Sequence, residues 1–184
     1  MSLTLIAPPA EEPVTLSELK EHLKVDHSSE DALIAGLGVA ARFAIEARFG
    51  LAVIAQSWRL TLDGAPAHAV TLPMSPVIAV DAVGAIRNGV TQALAADQYD
   101  AQAGLVGRVR IKAPLVTDRL IGGVVIAFTA GWADAASAPD EIKLAVKVLA
   151  AHFYENREGA GVDRFYTSPA SINALLAPYR QVRL

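Results

Sequence analysis

The hydrophobic period of this chain changes twice, and the two changes divide it before any motif is read. From Val14 to Phe49 apolar residues recur at three- and four-residue spacing, the mark of helices with one buried face. From about Leu51 to Trp132 they alternate with polar residues, as strands buried on one side do. From Ser137 to about Glu158 the helical spacing returns. Helix, then strand, then helix in one chain predicts an α+β fold, with an antiparallel sheet or sandwich inserted into a helical core.

The helices carry their own boundaries. Thr15 with Glu18 three residues later is a capping box, and Val14 with Leu19 is placed to staple it, so a first helix is expected from Leu16 to Val25. Ser28, Ser29, Glu30 and Asp31 open a second helix, through Leu33, Ile34, Leu37, Ala41, Ala44, Ile45 and Phe49 to Gly50. The two read as a helical hairpin, residues 1–50. Ser137, Pro139, Asp140 and Glu141 open a long central helix in the stretch 133–159, with Ser137 as its expected cap. Gly159-Ala160-Gly161 breaks it. A linker and a short helix from Pro169 to Ala177 complete a tail of residues 160–184.

Inside the β region, residues 51–132, Trp58, Leu60 and Leu62 alternate with Arg59, Thr61 and Asp63. Asn88-Gly89 between two apolar runs is a hairpin turn, because both residues tolerate positive φ. Val109 and Ile111 alternate with Arg108, Arg110 and Lys112, and Val124, Ile126 and Phe128 form the last strand. The Arg108, Arg110 and Lys112 stripe could contact phosphates, but on an edge strand such charges guard against edge-to-edge pairing, and that is the expectation.

Composition narrows the function. The chain is 53% apolar and carries a net charge of −3, without the basic excess of a dedicated nucleic-acid binder. It has no cysteine, which excludes disulfides, thiolate catalysis and cysteine zinc sites. No apolar run reaches the ~18 residues of a membrane span. The start, MSLTLIAPPAEEP, lacks the features of a signal peptide, so synthesis in the cytoplasm is expected. Gly36-Leu37-Gly38-Val39-Ala40-Ala41 fits a permissive dinucleotide fingerprint, but it lies mid-helix and not at a strand-to-helix turn. The two glycines read as close helix packing. His22, His27, His68 and His152 include no pair at helical ligand spacing. No catalytic residue, cofactor site or metal site is assigned, and no enzymatic turnover is expected.

The stretch AVKVLAAHFYENREG, residues 145–159, is apolar over most of its circumference and ends in a charged cluster. Such a helix must be covered on more than one side. It is either a central core helix or one shared with a neighbouring subunit.

In order along the chain, LSELKEHLKVD, IEARFG, QSWRLTLDGAP, VTLPMSPVIAVDAV, FTAGW, AHFYENREG and LLAPYR resemble the head-tail connector (adaptor) proteins of long-tailed phages and of phage-derived particles such as gene transfer agents. The all-helical members lack a sheet as large as residues 51–132. The resemblance implies a structural virion protein at the head-tail junction, a homo-oligomeric ring of about twelve copies beneath the portal protein. It also implies contact with the next completion (stopper) protein, and DNA that passes through without being held tightly. A closed ring needs two different contact faces per subunit. Leu144, Val148, His152, Tyr154, Glu155 and Arg157 are the expected subunit interface. Leu175, Leu176, Tyr179, Arg180 and Arg183 are the expected portal-docking tail, contributing little to the subunit's own fold, with the helix folding back on its own domain as a lid as the alternative. A nucleic-acid-binding module built on the basic strand, and an enzyme with an unrecognised site, are the alternative readings.

Overall fold

Thr15 starts the first helix as its sequence demands. In the computed structural model, which describes residues 1–112, 115–156 and 170–180, the Thr15 hydroxyl accepts from Glu18 N at 3.3 Å and the Glu18 carboxylate accepts from Thr15 N at 2.8 Å. Helix α1 runs Leu16–Leu23 and closes on Lys24 in the left-handed region. Helix α2, Asp31–Phe49, closes on Gly50 at φ 66°. Ser28 and Ser29 stay outside it, and the Ser29 hydroxyl bonds His27 Nδ1.

The chain divides into two units, residues 1–10 with 55–132 and residues 11–54 with 133–184. The first is the β unit. Strands β1 (Ser2–Ala7), β2 (Gln56–Leu62), β4 (Val77–Arg87), β5 (Val90–Ala93) and β8 (Val124–Ala130) form an antiparallel sheet in the order β1-β2-β8-β4-β5. A second sheet, β3-β7-β6, joins β3 (Val70–Thr71), β7 (Arg108–Ile111) and β6 (Tyr99–Gln102). An isolated bridge pairs Val77 of β4 with Gly104, two residues past β6. The β4–β5 turn is Asn88-Gly89, both at positive φ as expected. Strand β8 shows why alternation was legible: Val124, Ile126, Phe128 and Ala130 are buried, and the residues between them are half-buried.

Three expectations are corrected here. Residues 1–10 belong with the sheet, because β1 pairs with β2 from Ser2–Thr61 to Ala7–Ser57. Residues 51–54 belong with the helical unit. Strand β7 is the middle strand of its sheet and not an edge, so Arg108 and Arg110 do not guard an edge. They stand on the exposed face, with Lys112 paired to Asp100 at 2.7 Å.

The second unit is helical. Helix α3 runs Asp140–Glu155 and α4 runs Ala170–Leu176, followed by a 3-10 turn, Ala177–Tyr179. Ser137 does not cap α3. It closes a loop on Asp134 instead, with Ser137 N donating to Asp134 Oδ1 at 2.7 Å, and these bonds hold the Asp134 carboxyl below its usual range. At its far end the Asn156 amide donates to the His152 carbonyl at 2.7 Å, and the helix is described to Glu155; the expected end at Glu158 lies outside the described residues. The core draws Ile34, Ala41 and Ile45 from α2, Ile142, Val146 and Leu149 from α3, and Ile172 and Leu176 from α4. Burying each large aliphatic contributes roughly 1.5–3 kcal/mol. Leu19 of α1 seats on Gly38, where an added Cβ would fall 2.6 Å from Leu19 Cδ1. Gly36 has nothing within 4 Å of the same position, so among the described residues Gly38 serves packing and Gly36 does not.

Candidate assembly surfaces

Helix α3 buries one stripe and leaves another open. Ile142, Ala145, Val146, Leu149 and Ala150 are buried. On the opposite side Leu144 is exposed, Val148 and Ala151 are half-buried, and Glu155 is exposed. At 100° per residue these four share one face. Of the expected interface residues, Leu144, Val148 and Glu155 therefore lie on an open stripe. Tyr154 and His152 do not. The Tyr154 hydroxyl donates to Glu30 Oε2 at 2.6 Å, fastening the end of α3 beside the start of α2 within the subunit. The His152 carbonyl accepts from the Asn156 amide, and its ring lies 6.3 Å from Phe153, centroid to centroid. Arg157 lies outside the described residues.

Helix α4 of the tail packs into the core, contrary to its expected independence and in keeping with the fold-back alternative. Ile172 and Leu176 are fully buried in the helical unit, where α4 packs on α3. Arg48 Nη2 reaches the Asn173 side chain at 3.4 Å, and the Tyr179 hydroxyl reaches Glu141 Oε2 at 3.4 Å. Burial and the Glu141 charge push the Tyr179 phenol upward. Leu176 is thus unavailable to a partner. Leu175 is half-buried, Arg180 is exposed, and Arg183 lies outside the described residues.

The surface that sequence reasoning missed is on α2. Between Asp31 and Arg42 the helix carries no charge at all. Its buried positions are Ile34, Gly38, Ala41, Arg42, Ile45 and Glu46. The face turned away from them holds Gly36, Val39, Ala40, Phe43 and Ala47, all exposed, with Phe43 at 62%. An ordinary surface helix places its charges outward. Here the two charged residues in the middle, Arg42 and Glu46, point inward, and the apolar residues point out. The signal was present in the sequence as a weak amphipathic pattern: apolar residues occupied both faces.

In the β unit, Leu120 and Ile121 are the most exposed large apolar residues, at 92% and 80%. Their loop is pinned at its base. Thr117 Oγ1 donates to the Ile86 carbonyl at 2.9 Å, Asp118 accepts from Asn88 N, and Gly122 N donates to Asp63 Oδ1 at 3.1 Å.

Among the described residues no group of three His, Asp or Glu side chains is placed to hold a metal ion, and no helix is long and apolar enough to cross a membrane. What the described residues present are open apolar faces on helices.

The described residues thus form a helical core with an antiparallel insertion and leave apolar faces open on α2 and α3. Residues 13–103 match the family model of phage gp6-like head-tail connector proteins. Along its whole length the chain is similar to a chain in the virion of a native gene transfer agent particle, with a TM-score of 0.83 and 29% identity, covering 100% of this chain and 97% of the other. It is similar to the same extent of a chain from the neck of an empty particle computed with C6 symmetry, with a TM-score of 0.81 and 29% identity. A chain from the neck of a native particle computed with C12 symmetry gives a TM-score of 0.80 and 28% identity. No curated protein sequence matches the chain significantly.

Proposed function

We propose that this chain is one subunit of a closed homo-oligomeric ring at the head-tail junction of a tailed phage or gene transfer agent particle. The ring lies beneath the portal, meets the next completion protein on its other side, and passes DNA without catalytic turnover. The observation that carries the reading is the full-length likeness to a chain of a neck computed with C12 symmetry. The open faces on α2 and α3 support it, since every subunit of a ring has two different neighbours. The net charge of −3 suits a channel in which DNA must slide, because each phosphate neutralised adds salt-dependent affinity.

Imaging of particles from cells that produce this protein tests the reading. A ring of this chain between portal and tail is expected, and its deletion should leave filled heads without tails. Tailed particles of normal infectivity or transfer activity made without the protein would refute it. The purified chain should bind duplex DNA weakly, with binding lost at moderate salt. Submicromolar, sequence-selective binding would favour a nucleic-acid module built around Arg108 and Arg110.

A further inference from the structure

We infer that neighbouring subunits meet helix to helix, the outer face of α2 in one copy seating against the Leu144, Val148 and Ala151 stripe of α3 in the next. The inference rests on the ring reading above and names the surfaces that close the ring.

Gly36 is the first observation. A glycine inside a helix weakens it relative to alanine, and one kept for close packing should have a neighbour near its missing Cβ. Gly38 has one in Leu19, whereas Gly36 has nothing within 4 Å. No contact among the described residues accounts for it. With Ala32 and Ala40 one turn away on either side, it forms a shallow notch flanked by the exposed Val39 and Phe43. A notch of small residues beside large ones accepts the ridge of another helix.

The occupant is a second copy for two reasons. The α2 face has no charge across its middle, so it offers nothing to DNA phosphates or to a charged partner segment. And the helical unit carries two such stripes on different helices, α2 and α3, each facing away from the core that the helices share. A two-fold dimer would use one patch twice, whereas a ring joins two different patches head to tail. The similar chain from a C12 neck is placed in that kind of assembly.

The chain has no cysteine, so engineered cysteines report the contact without background. Particles would be made with Gly36→Cys combined with Leu144→Cys, Val148→Cys or Ala151→Cys in turn, oxidised, and run on non-reducing gels. At least one pair should give a ladder of covalent multimers, and Gly36→Cys alone should stay monomeric. Dimers from Gly36→Cys alone would show a two-fold contact and overturn the proposal. So would the absence of any ladder in particles whose connector ring is visible by imaging. Wild-type particles without such a ring would instead overturn the ring reading itself. As an independent arm, Val39→Asp/Phe43→Asp and Leu144→Asp/Val148→Asp subunits should each melt as cooperatively as wild type and fail to join particles. Normal incorporation of either would also refute the pairing.

Discussion

Arg42 grips Glu12 at two points, Nε to Oε2 at 2.8 Å and Nη2 to Oε1 at 3.0 Å, while its Nη1 reaches Glu46 Oε2 at 2.7 Å. Burial alone would lower the Arg42 pKa; hydrogen bonds and charges from Glu12 and Glu46 outweigh it and hold the guanidinium charged. The bonded residues all belong to the helical unit and lie close in sequence to the positions at which the chain enters or leaves it, residues 10–11, 54–55 and 132–133. Glu12 lies just after the first crossing. Glu46 Oε1 accepts from Val53 N at 2.9 Å, just before the second, and Glu11 Oε1 accepts from Ala135 N at 2.8 Å, just after the third. One acidic pair, one arginine and one further glutamate therefore hold the helical unit's ends of all three crossings.

Arg42→Met should accordingly destabilise the chain by about 3–5 kcal/mol, because it strands Glu46 as a buried charge. Adding Glu46→Leu should restore only part of the loss, since Val53 N then has no acceptor. Urea unfolding of the two variants measures this. An Arg42→Met chain as stable as wild type would mean that the cluster is solvated.

The capping box gives a pH dependence. Hydrogen bonds from Thr15 hold the Glu18 carboxyl below its usual range. A depressed carboxylate contributes stability that is present above its unfolded pKa and is lost as pH falls through the folded value. Thr15→Ala should therefore cost about 0.5–2 kcal/mol at neutral pH, and the difference from wild type should shrink below the glutamate range. Thermal melts of both proteins at pH 7 and pH 3 would show it. A difference that grew in acid would contradict the cap.

The two glycines of α2 should behave oppositely. Gly36→Ala meets open space and should stabilise the isolated chain by roughly 0.5–1 kcal/mol. Gly38→Ala drives a methyl into Leu19, and the overpacking, typically 1–3 kcal/mol, offsets the helical gain. Melting temperatures of the two variants distinguish them directly.

Truncation after Thr167 removes α4, with Ile172 and Leu176 fully buried. It should lower the melting temperature sharply and expose apolar surface on α3. Leu176→Ala should cost about 2–5 kcal/mol by cavity formation. If both chains melted like wild type, α4 would not be part of the core.

The start of α1, the end of α2 at Gly50, the Asn88-Gly89 turn and the alternation of β8 were legible because their causes are local. A cap bonds three residues away, a turn needs its own φ values, and a strand with one buried face alternates by itself. Those features, with the order of helix, sheet and helix, were determined by the sequence alone. The tertiary structure decided what depends on partners far along the chain. Six residues at the start become β1 only because β2, more than fifty residues later, offers its edge. The tail helix, too short to be stable by itself, is held by α3 and so is core. And the inward turn of Arg42 and Glu46, which leaves Phe43 outside, follows from Glu12 and Val53 reaching the inner face of α2. In the sequence an apolar residue looks the same whether it faces its own core or a neighbour; only the packing of the other helices uses up one face and leaves the other to be covered.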